Sequence, residues 1–240
     1  MINEESKRVK NLSEWYLKEQ LDFDKRLIRF RYQTLKPFLK GPEGLELGPA
    51  EGHMTQFLLH DFARLTVVDA ATELLECIPN DENLVKINSL FEEYQPDHHF
   101  DTIVMEHILE HVEKPIELLQ RVKDWLRPPP AFGKLLIGVP NGHSFHRLAA
   151  VKMGLLKDPC ELNSRDLELG HRRVYTPAML EKDLKSSGLK IITTGGVFFK
   201  PLSNRQIQDH WNEEMIQGFY ELGKDFPENA AGLYAVCELP

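Results

Sequence analysis

The chain has 240 residues, with 29 Lys and Arg against 37 Asp and Glu and a net charge of −8; 42% of its residues are hydrophobic and 28% charged. That length sits near the upper limit for one hydrophobic core, so one domain with appended helices is expected and a second full domain does not fit. The balance is that of an ordinary soluble protein, and the acidic charge argues against a nucleic-acid partner, whose phosphates call for a basic surface.

A local basic patch at Arg172 and Arg173 remains compatible with that charge. Cys77, Cys160 and Cys237 lie far apart and form no C-x-x-C pair, so neither a disulfide framework nor a zinc site is suggested, and a reducing cytoplasm fits. No apolar run approaches the roughly twenty residues of a membrane span, and the charged stretch from Asn3 to Lys10 does not read as a signal peptide. A cytoplasmic protein without a membrane partner is expected.

From Leu12 to Leu39 the apolar residues Leu12, Trp15, Tyr16, Leu21, Leu27, Ile28, Leu35 and Phe38 recur mostly at helical intervals with Lys and Arg between them, which predicts one or two amphipathic helices. Pro37 and the Gly41-Pro42 pair mark their boundary. Residues 1–40 are thus expected to form an N-terminal helical cap, with the main domain in 41–240.

The stretch Glu43-Gly-Leu-Glu-Leu-Gly-Pro-Ala-Glu-Gly52 organises the rest of the chain. Leu45 and Leu47 fit a short buried strand, and Met54, Phe57 and Leu58 fit a helix packed back on it. The intervening loop offers backbone N–H groups to a ligand, with Gly48 and Gly52 allowing close approach. A dinucleotide fingerprint needs three glycines as G-x-G-x-x-G, whereas this loop reads Gly48-x-Ala50-x-Gly52, so a pyrophosphate is a poor fit. Glu46, inside the strand end, suits a cationic ligand better. About twenty residues on, the run Leu65 to Asp69 ends in an acid placed to accept both ribose hydroxyls. One acid near a cation and one on a ribose describe S-adenosyl-L-methionine.

Next come a helix from Glu73 to Ile78, a turn at Pro79-Asn80-Asp81 and a strand from Leu84 to Ile87 that ends at Asn88-Ser89-Leu90-Phe91. Phe91 reads equally as a stacking wall or as core. The run Phe100 to Pro115 then gives a fourth strand, opened by Asp101 and continued from Thr102 to Met105, with Glu106 and His107 starting the loop at its carboxyl end, where open α/β sheets collect their ligands. Pro115 starts a helix over Ile116 to Leu126, buried through Leu118, Leu119, Val122 and Trp125, and Pro128 to Pro130 stop it. Lys134 to Pro140 is a near-continuous apolar fifth strand of the kind buried on both faces. After it, residues 141–175 read as an insertion or lid carrying His143, His146 and Arg147. Thr176 as N-cap, Pro177 at the first position and Ser187-Gly188 at the end delimit another helix. The last strands are expected at Leu189 to Thr194 and Gly232 to Glu238, separated by one helix from Gln206 to Leu222.

Two of these segments carry a resemblance. Glu46-Leu-Gly48-Pro-Ala50-Glu-Gly52 is similar to the first motif of the class I S-adenosylmethionine-dependent methyltransferases, and the run from Phe100 through Leu109-Glu-His-Val112 resembles their fourth-strand signature. The resemblance implies an α/β, Rossmann-like doubly wound sheet of about seven strands, mostly parallel with the last strand antiparallel, preceded by N-terminal helices. It implies S-adenosyl-L-methionine as cofactor, S-adenosyl-L-homocysteine as product, and cofactor contacts at Glu46, Gly48, Pro49, Gly52, Asp69, Ala70, Ser89, Leu90, Phe91 and Glu106. Ala50 departs from a usual glycine and Ser89 from a common acid, which puts the methionine-end and adenine contacts in question. Trp15 and Tyr16 are open to two readings, helix core or an aromatic lid.

Displacement at a sulfonium asks mainly for alignment and requires no metal, so none is expected. A hydroxyl acceptor gains from a base near neutral pKa. The candidates are His107, His111, His143 and His171; His111 reads as structural, and His107 and His171 are taken forward as catalytic. The Met105-Glu106-His107-Ile108 segment lacks the Asn/Asp-Pro-Pro-aromatic tetrad of amino-group methylases. An adenine or glutamine amide acceptor is thus disfavoured, and the resemblance implies a small-molecule acceptor, expected to be methylated on oxygen: a sugar, quinone precursor or secondary metabolite. A homodimer is left open, as are two alternatives: a catalytically silent cofactor-binding subunit and an NAD(P)-dependent oxidoreductase.

Overall fold

A computed structural model describes residues 22–240. Its first helix, α1 (Asp22–Leu35), runs into a single 3-10 turn at Lys36–Phe38. The strands are β1 (Glu43–Leu47), β2 (Arg64–Asp69), β3 (Leu84–Asn88), β4 (Thr102–Glu106), β5 (Lys134–Pro140), β6 (Lys190–Val197) and β7 (Gly232–Glu238). Between them lie α2 (His53–Leu58), α3 (Thr72–Cys77), α4 (Pro115–Trp125), α5 (Phe145–Lys152), α6 (Ser164–Glu168), α7 (Pro177–Ser186), α8 (Asn204–His210) and α9 (Glu213–Asp225).

The seven strands form one sheet in the order β3-β2-β1-β4-β5-β7-β6. β1 pairs in parallel with both β2 and β4, so the chain reverses its winding there. That reversal opens a crevice at the carboxyl ends of β1 and β4. β7 runs antiparallel between β5 and β6, as expected of the last strand.

Strand alternation divides the core. Leu45, Leu47, Ile103, Met105, Leu135 and Ile137 face one side with Leu118, Leu119 and Val122 of α4 and Leu180 and Leu184 of α7. Val67, Val104, Leu136 and Val236 face the other with Met54 and Leu58 of α2 and Tyr32 and Leu35 of α1. The apolar run of β5 is buried throughout from Leu135 to Val139, which explains its lack of a polar face. α1 reaches a third cluster through Phe23, Leu27 and Phe30, which pack on Phe198, Ile207, Ile216 and Tyr220. Its ring contacts include Phe30 stacked on Tyr220 at 4.3 Å. The described part of the N-terminal segment is thus part of the core; Trp15 and Tyr16 lie outside the described residues.

One expectation is corrected. The single helix predicted over Gln206 to Leu222 is two helices, α8 and α9, broken at Trp211 and Asn212. Trp211 is extended, and the Asn212 side chain accepts from Met215 N–H at 2.9 Å, a cap that restarts the helix. β6 also runs to Val197, three residues beyond the expected end. Among the described residues no helix is long and apolar enough to cross a membrane.

Candidate active site

A cavity of about 450 Å³ opens at the carboxyl edge, lined at one end by Glu46, Gly48, Pro49, Ala50, Asp69, Ala70, Leu90 and Phe91. Its size is that of a small-molecule site. Glu46 is nearly fully buried, and the Thr55 hydroxyl of α2 donates to its Oε2 at 2.6 Å. Burial pushes the Glu46 carboxyl up to about 7, against that hydrogen bond and with Asp69 and Glu106 adding to the rise. Asp69 ends β2 and accepts from Ala71 N–H at 2.8 Å. Burial raises it to about 6, while N–H groups of Ala71, Ala50 and Ala70 pull the other way.

The loop between β1 and α2 has a left-handed backbone at Gly48 (φ 69°), Ala50 (φ 47°) and Gly52 (φ 81°). A Cβ on Gly48 would run into Ile108 Cδ1, the movable end of a side chain, so glycine is needed chiefly for its left-handed dihedrals. Ala50 is the departure from the motif, and it carries the strain of a left-handed conformation without glycine's freedom. Gly52 does not line the cavity; a side chain there would run into Ile78, so its part is to turn the chain into α2. Ser89 also stands outside the lining, with its hydroxyl donating to the Leu90 carbonyl at 3.0 Å. Phe91 lines the cavity and also packs against the core.

The opposite end of the cavity is built from the loop after β4 and the segment after β5, with Glu106 between the two ends, close enough to act on both Glu46 and Glu110. Glu106 is raised to about 7 by burial, with Arg31 of α1 opposing from 3.6 Å. Its carboxylate occupies the space that a side chain at Gly138 would fill. His107 has φ 58° and its Nδ1 lies 3.0 Å from Oε1 of the fully buried Glu110. Burial and then the Arg31 charge lower the His107 pKa, against the pull of Glu110. For Glu110 burial would raise the carboxyl, but His107, His111 and His171 together outweigh it and hold it at about 2. His111 and His171 meet ring to ring at 4.8 Å.

His171 is placed by α6. Its Nδ1 lies 3.3 Å from Asp166 Oδ1, and Arg147 of α5 reaches Asp166 Oδ2 at 3.0 Å. Burial would raise Asp166, but His171, the Asn163 N–H and Arg147 overcome it and bring the carboxyl down to about 2. Asn163 and Asp166 form the reciprocal cap of α6.

Of the four candidate histidines, His107, His111 and His171 converge on the cavity and His143 does not; it is exposed beyond the lining. The expected basic patch at Arg172 and Arg173 proves to be a brace. Arg173 donates to the carbonyls of Leu109, Val112 and Glu113, and Arg172 to that of His111, which fixes the turn holding the histidines. Sequence reasoning missed Arg31, Glu110, Asp166 and Lys200 as site residues. Lys200 lines the cavity, and burial pushes it down to about 8. Glu110 alone stood inside a recognisable motif; the others carried no local signal.

Residues 17–194 match a family model described as Methyltransferase domain. Over 171 residues the chain is 26% identical to the ubiquinone biosynthesis O-methyltransferase of Pseudoalteromonas translucida, covering 68% of this chain and 70% of that one. In fold it is similar to an S-adenosylmethionine-dependent methyltransferase from Mesorhizobium loti, with a TM-score of 0.63 at 14% identity over 87% of this chain and 97% of that one. It is also similar to the N-methyltransferase NodS from Bradyrhizobium japonicum, solved with S-adenosyl-L-homocysteine, with a TM-score of 0.57 at 16% identity over 94% and 91% of the two chains.

Proposed function

The chain belongs to the Methyltransferase domain family, and we propose that it moves a methyl group from S-adenosyl-L-methionine to a hydroxyl of a small-molecule acceptor. The observation that carries this reading is a cavity with two chemically different ends: buried acids and a glycine-floored loop at one, three converging imidazoles at the other. The nicotinamide alternative falls with the family membership.

Bound, the cofactor supplies a methyl carbon already activated by a positive sulfur. Asp69 accepts the ribose hydroxyls, and Gly48 brings backbone against the ligand at a left-handed turn that favours glycine. Leu90 and Phe91 give the adenine an apolar wall, and Glu46 and Glu106 place negative charge toward the cation. His107 and His171 stand where the acceptor must enter, and their work is to favour its deprotonated form. Alignment of acceptor oxygen, methyl carbon and sulfur supplies the rest. Oxygen as acceptor is supported by the naming of the Pseudoalteromonas relative, and the net charge of −8 by itself disfavours a nucleic-acid acceptor. Residues 141–175 contribute Asn141, His146, Arg147, Asn163, Asp166 and His171 to the cavity, which suits a substrate-side insertion. Three unpaired cysteines suit a cytoplasmic setting.

The test is release of S-adenosyl-L-homocysteine on incubation with cofactor and a panel of catechols, hydroxylated quinone precursors and sugars. Turnover with a hydroxylated member is expected. Tight cofactor binding without turnover on any of them would favour a silent binding subunit.

A further inference from the structure

Glu110, His111 and His171 each bring one ligating atom to within 4.8 Å of the others. Glu110 is fully buried, and its Oε2 has no hydrogen-bond partner. Its Oε1 meets another imidazole, that of His107, whose Nδ1 lies 3.0 Å away. A buried carboxylate among three imidazoles is stabilised when one of the rings is protonated or when a metal ion joins them. His171 also has its Nδ1 toward the Asp166 carboxylate at 3.3 Å, the kind of neighbour that ligand histidines usually have. Asp166 is itself fixed by Arg147 and by the cap of α6.

We propose that Glu110, His111 and His171 bind one divalent transition-metal ion of the zinc class, with His107 beside it and a coordination position open to the cavity. Magnesium and calcium take oxygen cages, whereas two imidazoles and one carboxylate select zinc and its neighbours. Three protein ligands with an open position are the arrangement of catalytic rather than structural sites. Arg172 and Arg173 support it by holding the turn that carries Glu110 and His111.

The chemical role of the ion rests on the methyl-transfer reading; its binding does not. An acceptor hydroxyl placed at the open position loses its proton more readily. That proton passes to His107 or to water, the oxygen forms a bond to the methyl carbon, the carbon–sulfur bond breaks, and its electron pair stays on sulfur as S-adenosyl-L-homocysteine. The histidines would then serve the reaction mainly as ligands, which changes the meaning of the His107 and His171 assignments.

The experiment uses the full chain stripped with chelator, titrated calorimetrically with zinc, and loaded with cobalt(II) for visible absorption. One ion per chain is expected. Glu110→Gln and His171→Ala should each weaken zinc by about a hundredfold or more and remove the cobalt bands, and Asp166→Asn by roughly ten- to a hundredfold. His60→Ala, at an exposed position, serves as the control and should bind as wild type. S-adenosyl-L-homocysteine titrated into the same samples reports folding and the cofactor end. Wild type that takes up no stoichiometric zinc while binding S-adenosyl-L-homocysteine overturns the site, as does Glu110→Gln binding zinc as tightly as wild type. Variant-sensitive zinc binding without S-adenosyl-L-homocysteine binding supports the site and removes the methyl-transfer reading instead.

Discussion

The two ends of the cavity are acidic in opposite ways. At the cofactor end Glu46 and Asp69 are buried, no cationic side chain among the described residues lowers them, and they are pushed up, to about 7 and about 6. At the acceptor end Glu110 and Asp166 are equally withdrawn from water but sit among histidines and an arginine, and both are held down at about 2. Burial is the first influence in all four, so the sign is decided by neighbours. The cofactor end is short of positive charge and the acceptor end has been given it. The first suits a ligand that brings its own cation, the second a place where protons are removed.

The largest effect should come from the loop floor. Gly48→Val adds a side chain where a Cβ already collides with Ile108, at a φ of 69°. It should weaken S-adenosyl-L-methionine by about a hundredfold or more, close to 3 kcal/mol, measured by calorimetry on protein whose circular dichroism is unchanged. Wild-type affinity would remove the loop from the site.

A second expectation sharpens the contrast in charge. Glu46, Asp69 and Glu106 have folded pKa values above their ordinary ones, so the folded protein holds more protons and the ligand-free chain loses stability as pH rises from about 4 through about 7. Glu110 and Asp166 are lowered, and their stabilisation is present above about pH 4 and lost as pH falls toward 2. Glu46→Gln combined with Glu106→Gln should therefore raise Tm by several degrees at pH 8, about 2–4 °C for each kcal/mol recovered, and change it little at pH 4. An equal shift at both pH values would mean that packing, not charge, is responsible.

The cofactor end was legible in the sequence because its parts are local. Glu46, Gly48 and Asp69 follow from strand ends and glycine spacing, and the structure brings all three to the cavity. Gly52 and Ser89 share those segments but are turned elsewhere, one to cap α2 and one onto the Leu90 carbonyl. The acceptor end was only half legible. His107 and His171 could be named from their positions, but Asp166 and Arg147 join them only through the folding of 141–175, which has no periodic signal tying it to β4. Arg31 looked like a solvated position on an amphipathic helix, and the fold places it 3.6 Å from Glu106. The sheet was easier still, since continuous apolar runs such as β5 fix buried strands without reference to partners. The break at Trp211 was missed because Asn212 caps a helix from inside an otherwise helical stretch.

The smallest effect is expected at Ala50. Its φ of 47° costs about 1–2 kcal/mol for a non-glycine residue, and Ala50→Gly relieves this at an entropic cost of about 0.5–1 kcal/mol. Stability should rise by less than about 1 kcal/mol in denaturant unfolding, with cofactor affinity changed less than about tenfold. A clear loss of stability would show that the alanine methyl contributes packing that outweighs its strain.

The division of the cavity itself is tested most directly by one calorimetric series with S-adenosyl-L-methionine on wild type, Asp69→Ala, Glu110→Gln and His171→Ala. One-to-one binding by wild type is expected, with a loss of about tenfold or more for Asp69→Ala, from hydrogen bonds to a charged acceptor, while the two acceptor-end variants stay within about threefold of wild type. Unchanged affinity in Asp69→Ala, or an equal loss in all three variants, would contradict that division.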